Sequence, residues 1–229
     1  MDAENAPDHS SRSQKLDIPS VDLSPNPFHA ASFPVSLSVY RSSQLLPQDL
    51  VECFDLIKLT SSAEYKASSM GWHPKNKKDE MADKAMWYIL VRRAEAQPDP
   101  PPVNGSSPPP YSNPVLGFLS FMFTHDDPPY TDRTVVYIYE IHLSESLRGS
   151  GLGSHLIQKA EGIAKSTDVS KTMLTVFSSN KGARRLYERL GYTKDQCSPA
   201  DREIRGRVIE ADYVIMSNEL GEGTRDLQR

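Results

Sequence analysis

The chain has 229 residues, of which 38% are hydrophobic and 24% charged, and its formal net charge is −4. That is enough apolar material for one core of domain size, and no run of it approaches the length of a membrane span. The mild acidity argues against a large basic nucleic-acid footprint and suits a basic peptide partner.

Residues 1–30 are polar, carry Pro and Ser without periodicity, and place Asp2, Glu4 and Asp8 where a secretory or mitochondrial leader would need basic and apolar residues. They read as a disordered or loosely docked segment ahead of a single domain over 31–218. Residues 35–40 form a first predicted strand, and 49–66 a helix whose apolar side is Val51, Phe54, Leu56, Ile57 and Leu59. A second strand covers 86–91. The Pro-rich stretch at about 94–114 cannot form a helix interior or a central strand and reads as a loop insertion in a hairpin. Strands follow at 115–123 and 135–143, then a glycine turn, a helix from near Ser154, a strand at 171–177, a helix from Asn180 to a stop at Gly191, and a last strand at 208–217. Residues 219–229 should fray. The pattern is α/β, a mixed, mostly antiparallel sheet flanked by helices. Cys53 and Cys197 stand alone without metal-ligand spacing, which fits a reducing nucleus or cytoplasm and predicts no metal.

The turn Arg148, Gly149, Ser150, Gly151, Leu152, Gly153 runs from a strand into a helix start at Ser154, where glycines let backbone N–H groups converge on an anion and the helix end adds partial positive charge. It does not continue into Gly-Lys-Ser/Thr, so a P-loop is a poor reading, and neither Ser154 nor the end of the 171–177 strand fits a dinucleotide site. The Arg-x-x-Gly-x-Gly turn resembles the acetyl-CoA pyrophosphate loop of the Gcn5-related N-acetyltransferases, with an ordinary glycine turn as the alternative. Downstream, Asn180 is placed as an N-cap, with Ala183, Leu186, Tyr187 and Leu190 on one helix face.

Together the turn and this helix resemble the Gcn5-related N-acetyltransferases, and the resemblance implies that Asn180 and Tyr187 touch acetyl-CoA. Tyr65 followed by Met70, Gly71 and Trp72, the run 77–88, the strand from Tyr137 to Leu143, and residues 152–158 and 173–177 are similar to one family within that group, N-alpha-acetyltransferase D. The similarity spans about 33–217. It implies the Gcn5-related fold and acetyl transfer from acetyl-CoA to the free α-amino group of the Ser-Gly-Arg-Gly termini of histone H4 and the A-type H2 histone. It further implies a monomer with no obligatory auxiliary subunit, contacting neither nucleic acid nor membrane, in the nucleus and cytoplasm.

An amine attacking a thioester needs alignment, a modest proton acceptor and donors for the oxyanion. Strict alternation along 135–143 puts Glu140 on one face with Val136, Ile138 and His142. Apolar neighbours would raise its pKa and make it the general base, acting directly or through a water; a Glu bridged to an arginine is the structural alternative. His142 is the second choice of base, and Tyr139 could assist proton transfer. The resemblance implies that the backbone of Ile141, His142 and Leu143 holds the pantetheine arm and that Tyr65, Met70, Tyr137, Tyr139, Thr175 and Tyr213 line the substrate site. Trp72 and Trp87 read as packing residues. Two departures from the family pattern, Met70 for a tryptophan and Thr124 for an acid, leave Asp126 or Asp127 to hold the substrate's arginine. An enzyme acting on lysine or a small amine, and a non-enzymatic CoA-dependent scaffold, are the competing readings.

Overall fold

Alternation in Val35, Leu37 and Val39, all buried between less buried neighbours, makes a strand with one apolar face, whereas the central strands over 87–93 and 117–125 are buried on both faces for most of their length. The structure is a computed structural model that describes residues 26–29, 33–94, 113–204 and 207–221. In chain order it contains β1 (Asn26–His29), β2 (Pro34–Arg41), α1 (Pro47–Ala67), α2 (Pro74–Met81), β3 (Trp87–Arg93), β4 (Gly117–His125), β5 (Thr134–Leu143), α3 (Leu152–Ser166), β6 (Lys171–Phe177), α4 (Lys181–Arg189), β7 (Thr193–Lys194), β8 (Arg202–Ile204), β9 (Arg207–Ile209) and β10 (Tyr213–Glu219). The main sheet has the order β1-β2-β3-β4-β5-β6-β10-β7, and β8 and β9 pair apart from it. Among the described residues β5 and β6 are parallel neighbours and the other pairs of the main sheet are antiparallel.

Two layers of helix cover the sheet. On one face Leu119, Phe121, Val136, Ile138, Leu174 and Val214 pack on Leu152, Leu156, Ile157 and Ala160 of α3 and on Tyr187 of α4. On the other, Tyr88, Leu90, Phe118 and Met122 pack on Cys53, Phe54 and Ile57 of α1 and Met81 of α2. Further along that second face, Val135, Tyr137, Met173 and Ile215 form a separate apolar group.

Two irregularities shape the middle of the sheet. Ser120 lies opposite Glu140 while Phe121 lies opposite Ile138, so Tyr139 is an extra residue, a β-bulge. The bulge corrects the strict alternation expected for β5. Val136 and Ile138 face α3, whereas Glu140 and His142 face α1 and α2, and it is Ile141 and Leu143 that return to the α3 side. The second irregularity is that β5 pairs with β6 only through Val136–Ile138 against Thr172–Leu174. Beyond that the two parallel strands part.

Several expected boundaries shift. β1, paired with β2 from Asn26 to His29, falls inside the segment expected to be disordered. α2 was not foreseen, since its residues are nearly all polar; Pro74 opens it where a missing N–H costs nothing. α3 begins at Leu152, not Ser154. The strand expected over 208–217 is two strands, β9 and β10. Glu219 is held in β10 by an ion pair from Arg133, and the Leu220 amide donates to the Ser170 carbonyl at 2.7 Å, so the frayed tail does not begin at 219. Residues 1–25, most of the Pro-rich insertion and 222–229 lie outside the described residues, although β3 and β4 on either side of the insertion are antiparallel neighbours as a hairpin requires.

Candidate active site

Where β5 and β6 part, a cavity of about 940 Å³ opens between the end of α1, α2, α4 and β10. Tyr65, Met70, Tyr137, Tyr139, Glu140, Ile141, His142, Thr175, Asn180, Tyr187 and Tyr213 all line it, so residues distant along the chain meet at one place. Leu143, the glycine turn and both Asp126 and Asp127 are outside its wall.

Glu140 is the hub. Its Oε1 accepts from the Tyr65 hydroxyl at 2.8 Å and from Lys77 Nζ at 2.9 Å, and its Oε2 lies 2.6 Å from Nε2 of His142. Burial pushes this carboxyl up, but Lys77 and His142 outweigh burial and hold it well below the usual carboxylate range. The expected rise in its pKa is therefore corrected: the bulge turns Glu140 away from Val136 and Ile138 and toward cations. The bridge is to a lysine and a histidine, not to an arginine. Lys77 also donates to Glu80 at 2.7 Å and sits 5.0 Å from the Tyr65 ring centroid. Although burial works against its charge, Glu140, Tyr65 and Glu80 keep Lys77 protonated. Burial pushes Glu80 and the Tyr65 hydroxyl up. Lys77 and Glu80 were missed from sequence; their i, i+3 spacing after Pro74 was the available signal.

Aromatic rings close the space around this hub. Tyr65 meets Phe177 edge-on at 5.0 Å and Trp72 at 5.6 Å, and Trp72 stacks on Phe54 at 5.8 Å. Tyr137 and Tyr139 lie 5.4 Å apart, and the Tyr137 hydroxyl is 2.5 Å from Thr175 Oγ1. Trp87 packs against Phe121 in the α3-side core, as read, whereas Trp72 also reaches the cavity wall. The loop carrying Met70 is tied to the start of β10, because the Ser69 amide and hydroxyl both donate to the Asp212 carboxylate.

The glycine turn stands at the start of α3. Gly149 and Gly151 have φ of +72° and +82°, the region glycine alone enters freely, and a Cβ added at either would meet nothing within 4 Å. The amides of the first α3 turn have no intrahelical acceptor. Open space, convergent N–H groups and a helix N-terminus fit a pyrophosphate. Ser150 Oγ donates to the Leu147 carbonyl at 2.7 Å, and Arg148 Nε reaches the Leu143 carbonyl at 3.3 Å, which braces the turn against the end of β5. Asn180 caps α4 by accepting from the Ala183 amide at 3.1 Å. Gly191 ends that helix with φ +94° and a pair of bonds, Gly191 N to Glu188 O and Tyr192 N to Tyr187 O, of the Schellman type. Burial pushes the Tyr187 hydroxyl up, which keeps it a neutral donor at the cavity wall.

The two aspartates expected to hold a substrate arginine do not. Asp126 is 3% exposed and accepts from Lys171 Nζ through both oxygens at 2.9 Å, while the same lysine is 2.8 Å from Asp195. Its charge is spent inside the protein. The Asp127 amide donates to Asp126, and Asp127 does not reach the cavity. Burial pushes Asp195 up, but the Cys197 amide and Lys171 outweigh it and hold that carboxyl below its usual range. Glu80 is the remaining carboxylate in the cavity wall besides Glu140. Among the described residues no group of three His, Cys, Asp or Glu is placed to hold a metal ion, and no helix is long and apolar enough to cross a membrane.

Residues 72–192, over half of the chain, match the acetyltransferase (GNAT) family. The chain belongs to the GNAT acetyltransferases. Among curated relatives of this acetyltransferase, N-alpha-acetyltransferase 40 of Saccharomyces cerevisiae is 39% identical over 105 residues, covering 39% of this chain and 37% of that protein. The thialysine N-epsilon-acetyltransferase of Sus scrofa is 30% identical over 113 residues, covering 49% and 59%. Each match spans less than two thirds of the relative's length. Among solved structures, Arabidopsis thaliana NAA60 in complex with a bisubstrate analogue has a TM-score of 0.54 over 80% of this chain and 98% of that one, at 15% identity. The same protein in complex with acetyl-CoA gives 0.52, again at 15% identity. These likenesses are of fold, and they agree with the GNAT family match.

Proposed function

We propose that this acetyltransferase modifies the free α-amino group of protein N-termini of the Ser-Gly-Arg-Gly type, as carried by histone H4 and the A-type H2 histone. The observation that carries the reading is that Tyr65, Tyr137, Tyr139 and Tyr213 line one cavity with Glu140 at the parting of β5 and β6. Close aromatics suit a chain terminus with a small first residue. The yeast relative named for N-alpha transfer supports the same reading. Histone tails as substrates would have it work as a monomer in the nucleus and cytoplasm.

In this proposal the glycine turn, Asn180 and the parted edge of β5 hold acetyl-CoA, which supplies the thioester. The neutral amine nitrogen attacks the thioester carbonyl, a C–N bond forms, and the C–S bond breaks. An α-amine titrates near ~8, so an appreciable minority is already neutral at pH 7. After attack the nitrogen is cationic and more acidic than the free ammonium, and its proton goes to a group at the cavity wall. Glu140 is that acceptor. Tyr187, kept protonated by burial, supplies the proton that the departing thiolate takes up. Glu80, shared with Lys77, is the group left to meet a substrate arginine.

The competing reading, transfer to lysine or a small amine, has its own support in the thialysine N-epsilon-acetyltransferase relative. Mass spectrometry of a Ser-Gly-Arg-Gly peptide containing lysine, after incubation with enzyme and acetyl-CoA, separates them. Acetyl on the terminus and not on lysine is expected. Acetyl on lysine of an N-terminally blocked peptide would end the N-terminal reading.

A further inference from the structure

The loop between α1 and α2 reaches the cavity through Met70. Its start is held locally, by the Ser68 amide and hydroxyl on the Tyr65 carbonyl at 3.2 and 2.9 Å and by the Gly71 amide on the Ser68 carbonyl at 3.3 Å. Its far end is held by Trp72, stacked on Phe54. Between these two holds, Ser69 spans to another part of the fold. Its amide and its hydroxyl donate to separate oxygens of Asp212, the hydroxyl at 3.2 Å, across 143 positions of sequence.

The two sides of this clasp are not equally fixed. The Asp212 carbonyl accepts from the Ser178 amide at 2.9 Å, the Ala211 carbonyl accepts from the Ser178 hydroxyl at 2.6 Å, and the Ala211 amide donates to Asp201 at 3.0 Å. Asp212 is therefore fastened to the end of β6, and the next residue, Tyr213, opens β10 opposite Phe177. Ser69, by contrast, is exposed. Behind the clasp lies a second groove of about 370 Å³, lined by Ser68 and Asp212, whereas Ser69, Met70 and Tyr213 face the cavity. The clasp is thus a wall between two open spaces. A loop with open groove behind it has room to swing away once the bonds that hold it are cut.

Resting on the N-terminal reading above, we propose that the Ser69–Asp212 clasp sets the width between Met70 and Tyr213 and so holds the first residue of the substrate to a small side chain such as serine. A pocket discriminates by size only while its walls cannot part: one added methylene in a firm pocket changes selection by roughly 10–200-fold, and a wall that yields forfeits this. Asp212 touches no reacting atom in this account. It is a positioning residue that acts through Met70 and Tyr213.

The full chain, given acetyl-CoA and two peptides that differ only in the first residue, Ser-Gly-Arg-Gly and Leu-Gly-Arg-Gly, tests this. Wild type should favour serine in kcat/KM. Asp212→Ala should lose about tenfold or more of that preference, through a lower KM for the leucine peptide, while calorimetry finds acetyl-CoA bound as in wild type. Asp212→Asn, whose side-chain oxygen still accepts from the Ser69 amide, should stay within about threefold of wild type. A merely structural role would lower both peptides alike and leave their ratio unmoved. Hydrogen exchange of the Ser69 amide in wild type needs no variant, and it should be slowed about tenfold or more relative to an unstructured amide. A wild type that takes both peptides equally, an Asp212→Ala ratio equal to that of wild type, or an unprotected Ser69 amide each overturns the inference. Failure of the N-terminal reading looks different: neither peptide is acetylated on its α-amine, while the Ser69 amide remains protected.

Discussion

Two buried clusters of acid and base lie in this sheet, and they differ in what surrounds them. Asp126 and Asp195 both close on Lys171 at 2.8–2.9 Å, and none of the three lines the cavity beside Glu140. Glu140 and His142 are buried as well and Lys77 and Tyr65 half-buried, at comparable distances, yet these four border the cavity where β5 and β6 part. Ion pairing and burial are common to both. What sets the second apart is open space, with an imidazole and a phenol among the groups that border it.

Substitutions should separate the two. The largest effect is expected from Glu140→Gln, which should lower kcat by about 10²–10⁴ while leaving acetyl-CoA affinity near wild type. Unchanged turnover would show that Glu140 only shapes the cavity. Lys171→Met, by contrast, should spare the chemistry per folded molecule and cost about 3–5 kcal/mol of stability in urea unfolding, because it strands two buried carboxylates. A normal unfolding midpoint would mean that the triad is less desolvated than its geometry indicates. Gly151→Val forces a branched side chain into left-handed backbone at the anion cradle, and calorimetry should find acetyl-CoA binding weakened by about tenfold or more. Glu80→Gln should trim the preference for Ser-Gly-Arg-Gly over Ser-Gly-Ala-Gly by about threefold to tenfold, since its bond to a substrate arginine would be shared with Lys77.

The smallest effect comes from acid. Glu140 and Asp195 both titrate below their usual ranges, so each contributes stability that is complete above the unfolded carboxylate values of about 4 and lost as pH falls through the lower folded value. The stability difference between wild type and Glu140→Gln, followed from pH 7 down to 3, should therefore shrink. A difference that grows on acidification would contradict the assigned direction.

The parts of the molecule written in local pattern were legible from sequence. Asn180 to Gly191 carried its own cap, period and stop, and the glycine turn carried its own backbone demands, so both were placed correctly. β2, β4 and β5 were found within a few residues. What escaped depended on partners far along the chain. The bulge at Tyr139 exists only in the register between β4 and β5, and without it Glu140 points the wrong way. Asp126 looked free because its partner Lys171 lies 45 residues on. α2 has scarcely any apolar stripe, so hydropathy could not mark it, and with it Lys77 and Glu80 went unseen.

The extra residue at Tyr139 also bears on how this strand can vary through evolution. Val136 and Ile138 before it, and Ile141 and Leu143 after it, keep β5 anchored against α3, while positions 137, 139, 140 and 142 are turned toward the cavity. Mutational drift at the second set leaves the first set's packing in place. A lineage could thus exchange its amine acceptor's chemistry residue by residue without passing through an unfolded ancestor.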